Sequence, residues 1–331
     1  MTPKVLVLAD LTPPYDRPTF LEEEVTMIRE SGVLTTNNLI KRVLKDPLIR
    51  GLICPLGQKI DATVFRELPQ LEVVSNVAVG LDNIDLESAK RNKVKVSHTP
   101  FVLTESTADL AWALLLGGSR RLVEGDRLAR SGRWKGWGMN QLLGQSLGSL
   151  GVGSELTKSL GVIGLGSIGE SIARRSIGFN MDLFYYNRTR KPLLESEYGW
   201  VYLELDELVQ RVDFLVLALA LTPDTFHILN EERLQKMKPN AYLVNIGRGA
   251  LVDEDALIRV LERGHLSGAG LDVYEREPFI PERLRQLSQV TLSPHLGSAT
   301  LEARRAMSRL SIESVVSVLL GIEERGYFKI T

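Results

Sequence analysis

The sequence predicts an α/β fold of doubly wound parallel sheets divided between two domains. Three observations lead there. Short, near-continuous apolar runs alternate with amphipathic segments along the chain, as strands covered on both faces alternate with their crossover helices. Two long helical patterns, 104–117 and 298–320, have no strand neighbours and read as places where the chain passes between domains. A glycine-rich turn follows one apolar run and opens a helix.

Taken in order, the runs 5–8, 51–54, 73–74 and 94–96 read as strands of the first third. The runs 160–163, 182–186, 214–221, 241–246 and 290–292 read as strands of the remainder. Helical patterns fall between them at 168–178 and 253–264, the second opened by Asp253 as N-cap and closed by Gly264. The stretch 142–153, rich in Gly, Ser and Leu, reads as a flexible loop. These elements divide into a discontinuous domain of residues 1–100 and 298–331 around one of residues 101–297. At about 150 residues per domain, 331 residues suit two.

Composition narrows the function classes. With 44% hydrophobic and 24% charged residues the chain is neither disordered, collagen-like nor a coiled coil. Lys+Arg number 40 against 41 Asp+Glu, so no basic excess points to nucleic acid or an anionic membrane surface. The longest apolar run, 214–221, has eight residues where a membrane span needs about 20. Cys54 is the single cysteine and reads as a small buried hydrophobe. No two of His98, His227, His265 and His295 lie three or four apart, so no metal site is expected. The N-terminus lacks a secretory signal pattern, which leaves the reducing cytoplasm as the expected location.

Gly164-Leu165-Gly166-Ser167-Ile168-Gly169 fits the dinucleotide fingerprint in its required context of strand, turn and helix. Gly164 permits the tight turn, Gly166 lets backbone approach a pyrophosphate, and Gly169 lets the helix pack close. The diphosphate then meets the positive helix N-terminus. The next strand ends at Tyr186, where an NAD site usually carries an acid for the ribose 2′-hydroxyl. Here Asn187, Arg188 and Thr189 follow, then Arg190 and Lys191, with no carboxylate before Glu195. Arginine suits a phosphate, so the turn reads as NADP(H)-preferring. The alternative is NAD(H) with a solvated basic turn.

Three further segments place charge after strands. Arg248 follows Ile246 and Gly247; Asp272 and Glu277 lie in Leu271-Asp-Val-Tyr-Glu-Arg-Glu-Pro278; His295 and Gly297 lie in Ser293-Pro-His-Leu-Gly297. Ligands of open α/β sheets bind beyond strand carboxyl ends, so all three segments face the cofactor crevice in this reading. Arg248 can hold a 2-oxo acid carboxylate bidentately. His295 is the natural proton donor near neutral pH. Glu277 would orient it and stabilise its imidazolium. Asp272 is placed to contact the nicotinamide amide. Singly, Arg248 could be a helix cap and His295 a structural histidine; beside a dinucleotide turn the three read as a catalytic set.

These motifs, with Asn245-Ile-Gly-Arg-Gly249 and Ser293-Pro-His-Leu-Gly-Ser-Ala-Thr300, resemble the D-isomer-specific 2-hydroxyacid dehydrogenases over nearly the whole chain, most clearly from Leu71 onward. The run 179–191 and the ending Ser298-Ala-Thr300 resemble the glyoxylate/hydroxypyruvate reductase branch. The resemblance implies two Rossmann-like/flavodoxin-like domains with parallel sheets and an active site in the cleft between them. Residues 1–100 and 298–331 would bind substrate and 101–297 the dinucleotide. It also implies that Val79 and Gly80 offer backbone N–H groups to a small 2-oxo or 2-hydroxy acid, and that Thr104 lies near the cofactor. A homodimer through the dinucleotide domain is implied, with Trp134 or Trp137 reaching the partner's pocket or serving as dimer packing. His98 and Phe101 depart from the common Asn and Gly, and the loop 142–158 is longer than usual. The implied activity is reduction of glyoxylate or hydroxypyruvate. The alternatives are another D-2-hydroxyacid dehydrogenase, of D-lactate type or for a bulkier acid, and a cofactor-sensing binding protein.

Overall fold

The computed structural model describes residues 2–12, 24–30, 32–148, 157–322 and 325–330. Residues 149–153 of the expected 142–153 loop lie outside them. The chain forms two compact units, one of Met1–Leu103 with Ser298–Thr331 and another of Thr104–Gly297.

The first unit opens with β1 (Lys4–Val7), β2 (Thr26–Arg29), α1 (Thr36–Leu44) and β3 (Ile49–Cys54). Then come α2 (Ala62–Glu67), β4 (Val73–Asn76), α3 (Leu86–Arg91) and β5 (Lys95–His98). The second unit runs α4 (Thr104–Ser119), α5 (Leu122–Arg130), β6 (Ser159–Ile163), α6 (Ser167–Ser176), β7 (Asp182–Tyr186) and α7 (Pro192–Tyr198). It continues β8 (Val201–Tyr202), α8 (Leu205–Arg211), β9 (Phe214–Leu217), α9 (Glu231–Lys236) and β10 (Tyr242–Asn245). It ends with α10 (Glu254–Glu262), β11 (Gly268–Leu271), α11 (Glu282–Gln286) and β12 (Val290–Leu292). The chain returns to the first unit with α12 (Leu301–Leu320) and β13 (Tyr327–Ile330).

Among the described residues the first sheet has the order β13-β5-β4-β3-β1-β2. All its pairings are parallel except β13 against β5. Without β13 this is the flavodoxin-like order, with its switch point between β1 and β3. One face packs under α1 and α2 through Leu39, Val43 and Phe65; the other lies under α12 through Val315, Val316 and Leu319. Gly51 lets α12 approach, since a Cβ there would stand 2.7 Å from Val315 Cγ1.

The second sheet has the order β12-β11-β10-β9-β6-β7-β8, parallel throughout. The order reverses between β6 and β9, so the crevice beyond their carboxyl ends is the expected ligand position. One face carries α4 and α6 through Ala111, Leu115 and Ile172; the other carries α8 and α10 through Leu208, Leu257 and Val260. No helix among the described residues is long and apolar enough to cross a membrane.

The 214–221 run is strand only to Leu217. Leu219 and Leu221 leave the sheet yet stay half-buried against the core, which is why the apolar signal outlasts the strand. Edge strands β2, β8 and β13 escape a hydrophobicity reading because they are short and not wholly buried, β8 having two residues. β13 adds an antiparallel edge to a sheet read as parallel.

Candidate active site

The phosphate turn begins where β6, wholly buried, ends. Gly164 has φ +94°, and a Cβ there would stand 2.7 Å from Leu219 Cβ and 2.8 Å from Ala218 O, so only glycine fits. Gly166 caps α6 without a side-chain hydrogen bond, and open space surrounds its Cβ position. Among the described residues the first-turn amides of Ser167, Ile168 and Gly169 thus have no cap from the N-cap side chain at the positive end of the helix. A Cβ on Gly169 would fall 1.9 Å from Gly164 O, so α6 seats directly on the turn. This cradle fits a dinucleotide diphosphate. Thr104 Oγ1 is a buried hydroxyl with no partner among the described residues. Leu165 plays a different part from its neighbours. Its side chain is buried and its N–H is taken up by Asn187 Oδ1 at 3.0 Å.

Asn187 therefore braces the turn, and its Nδ2 also donates to Thr189 O at 2.7 Å. Arg188 and Thr189 are exposed. Arg190 is not available in the way its neighbours are. Its guanidinium makes two bonds to Glu195, at 2.7 and 2.6 Å, because α7 brings that carboxylate back over the turn. Glu195 also accepts from Tyr185 Oη at 2.6 Å. The Arg190 and Tyr185 donors pull the Glu195 carboxyl down to about 2. The basic turn read from sequence is thus partly neutralised. Glu195 was missed as its partner because five residues of separation hid the contact.

Arg248 leaves the end of β10 on a turn braced by Asn245, which is buried. Asn245 Nδ2 donates to Arg248 O at 2.8 Å, and its Oδ1 accepts from Gly247 N at 3.1 Å. Arg248 is half-buried, and its Nη1 donates to Gly247 O at 2.9 Å. Ile246 is buried just before it.

Asp272, 1% exposed, sits one residue past β11. Its Oδ1 accepts from Ser293 Oγ at 2.6 Å and Leu296 N at 2.7 Å; its Oδ2 accepts from Gly297 N at 2.9 Å. Its carbonyl accepts from His295 N at 2.9 Å. Thr107 Oγ1 closes the loop by donating to Gly297 O at 3.1 Å. The structure therefore gives Asp272 a task the sequence reading did not assign. Its carboxylate organises the loop that carries His295. That loop needs organising, because His295 has φ +55°, the left-handed region that costs a non-glycine residue about 1–2 kcal/mol.

His295 Nδ1 lies 2.8 Å from Glu277 Oε2. Glu277 Oε1 accepts from Tyr274 N at 3.1 Å, so the carboxylate is aimed from its own turn. Burial pushes the Glu277 carboxyl up. The His295 hydrogen bond and charge, the Tyr274 amide and the Arg248 charge outweigh this and hold it below the usual carboxylate value. Arg248, Glu277 and His295, far apart in sequence, thus share one electrostatic neighbourhood. With Nδ1 committed to Glu277, Nε2 is the ring nitrogen left for proton transfer.

In the other unit, Val79 and Gly80 occupy the loop after β4 and are half-buried. Trp134 and Trp137 are 58% and 81% exposed and line a cavity of about 290 Å³ with Leu128 and Leu142.

The family profile described as D-isomer specific 2-hydroxyacid dehydrogenase, NAD binding domain, matches residues 112–297. A glyoxylate reductase of Pyrococcus furiosus is 44% identical over 327 residues, covering 97% of this chain and 94% of that protein. The crystal structure of a glyoxylate reductase from Paecilomyes thermophila superposes with a TM-score of 0.86 at 30% identity, over 99% of this chain and 98% of that one. An NADPH-dependent glyoxylate/hydroxypyruvate reductase from Sinorhizobium meliloti, solved with NADP and malonate, gives 0.81 at 31% identity, over 96% and 93%. With a phosphate-binding turn at the switch point of a parallel sheet and likeness of this extent, the chain belongs to the D-isomer specific 2-hydroxyacid dehydrogenases, oxidoreductases that use a pyridine nucleotide.

Proposed function

We propose that the protein reduces glyoxylate or hydroxypyruvate, to glycolate or D-glycerate, with NADPH as the preferred cofactor. The observation that carries the reading is the 2.8 Å pairing of His295 Nδ1 with Glu277. It leaves Nε2 of an oriented imidazole as the acid for a carbonyl oxygen that gains negative charge. The bound nicotinamide supplies the hydride to the carbonyl carbon. Gly164, Gly166 and the amides of Ser167, Ile168 and Gly169 hold the diphosphate, with Thr104, Ile246, Gly247 and Gly297 along the cofactor. Arg248 holds the substrate carboxylate, and its charge adds to the stronger pull of His295 and the Tyr274 amide that lowers the Glu277 carboxyl. Val79 and Gly80 are assigned to a substrate carboxylate on the family resemblance. Glu277 stabilises the imidazolium and returns the ring to one orientation after each proton transfer.

The NADPH preference rests on exposed Arg188 and Thr189 at a strand end with no acid for a ribose hydroxyl. One observation favours the NADH reading instead: Arg190 is occupied by Glu195, which leaves a smaller set for a 2′-phosphate. A homodimer through the dinucleotide unit suits α5, which buries none of its residues, and the exposed Trp134 and Trp137.

Initial rates at the nicotinamide absorbance band test the reading, with NADPH or NADH against glyoxylate, hydroxypyruvate, pyruvate and 2-oxoglutarate. Fastest turnover of glyoxylate or hydroxypyruvate with NADPH is expected, and His295→Ala should lower it roughly 10²–10⁴-fold. Near-wild-type turnover by that variant refutes the acid assignment.

A further inference from the structure

The loop after β4 has its carbonyls held and two of its amides free. Ala78 O accepts from Thr99 N at 2.9 Å, Val79 O pairs with His98 Nδ1 at 2.9 Å, and Gly80 O accepts from Asn76 Nδ2 at 2.8 Å. Among the described residues neither the N–H of Val79 nor that of Gly80 has a partner. Both residues are half-buried.

A trans peptide is planar, with its carbonyl and its N–H pointing in opposite directions. Holding Ala78 O therefore sets the direction of the Val79 N–H. Holding Val79 O sets the direction of the Gly80 N–H. The first clamp is main chain and tolerates any side chain. The second is the imidazole of His98. A carbonyl only accepts, so Nδ1 carries the proton and donates it to Val79. Burial pushes the imidazole pKa down, the bond to Val79 opposes this, and the Lys329 ammonium adds to the fall. The backbone of His98 is fixed in turn, because β5 pairs at His98 with Tyr327 of β13. Asn76, buried and bonded to Asn83, is an equally rigid support for the next peptide.

We propose that His98 is a positioning residue for the substrate carboxylate: by clamping Val79 O it aims the Gly80 N–H at the anion. The inference rests on the assignment of Val79 and Gly80 to that carboxylate. His98 touches no substrate itself; it determines where the amide points.

Steady-state kinetics of His98→Leu and His98→Asn in the full chain test this, with glyoxylate and NADPH varied separately. Leucine fills the space but donates nothing. It should raise KM for glyoxylate roughly ten-fold or more, because an amide aimed at a charged acceptor is lost. KM for NADPH should stay within about two-fold, since one bond in the other unit leaves the cofactor cradle untouched. Asparagine Nδ2 stands as many bonds from Cα as histidine Nδ1, so His98→Asn should return KM for glyoxylate to within about three-fold of wild type. Should His98→Leu fail to fold, His98→Phe, a ring of similar shape without a donor, takes its place with the same expected rise. An unchanged glyoxylate KM in the donor-deficient variant overturns the proposal. So does an equal loss in His98→Asn, which would mark the ring as packing only. An uncharged aldehyde with the same KM as glyoxylate in the wild type would instead bring down the Val79–Gly80 assignment.

Discussion

Asp272→Asn is the sharpest test of how this site is built. The carboxylate is 1% exposed and accepts three hydrogen bonds, two of them from the amides of Leu296 and Gly297. Asparagine has the same shape and one acceptor oxygen. Placed to serve Ser293 and Leu296, it turns its NH₂ toward the Gly297 N–H, donor against donor. One buried amide without its acceptor costs about 1–3 kcal/mol. Asp272→Ala removes the acceptor for both amides at about 1.5–3 kcal/mol each, so about 3–6 kcal/mol before the relief of no longer burying a charge. The loop released is the one that holds His295 at φ +55°, a conformation that persists only while its surroundings over-determine it. Urea unfolding should therefore show Asp272→Asn destabilised by about 1–3 kcal/mol, with kcat reduced at saturating NADPH and 2-oxo acid. A variant within about 0.5 kcal/mol of wild type and with unchanged kcat would refute the reasoning. A rise in KM for NADPH alone, without loss of stability, would leave a nicotinamide contact as the role of Asp272.

Three further outcomes are expected. Glu277 has its carboxyl depressed in the folded protein, so the stability it adds is present above the unfolded value near about 4.3 and is lost as pH falls through the folded one. Glu277→Gln should flatten the acid limb of the stability curve below about pH 4.3, read from urea midpoints; parallel limbs for variant and wild type would count against the pairing. Arg188→Ala should raise KM for NADPH by about 10- to 100-fold and leave NADH alone, as expected for losing a charged bond to phosphate. Equal effects on both cofactors would show that the turn does not read the 2′ position. Gly169→Ala puts a methyl 1.9 Å from Gly164 O, so turn and helix must part. Nucleotide titration should show weaker binding and thermal denaturation a loss of about 1–3 kcal/mol, while wild-type affinity would contradict the proposed seat of the diphosphate.

The apolar runs, the alternation with helices and the strand-turn-helix context of Gly164 to Gly169 were legible in the sequence because they are local. Periodicity needs a few neighbours, and a glycine turn needs six consecutive residues. The charged residues after β10 and β11 and after β12 could be named for the same reason, each being next to a strand end. What they do to one another could not. Arg190 is held by Glu195, and Asp272 by the loop of His295, because hydrogen bonds form between atoms that folding brings together, at separations of 5 and up to 25 residues. His98 drew notice in the sequence only as a departure, and its bond to Val79 spans 19 residues. Edge strands such as β13 carried too little pattern, since an edge buries less of itself and its pairing is decided by the neighbour already in place. Composition and spacing thus determined the class of fold and which residues could do chemistry. Tertiary structure decided which of them are free to do it, because a polar group that folding sets beside a partner is already engaged when a ligand arrives.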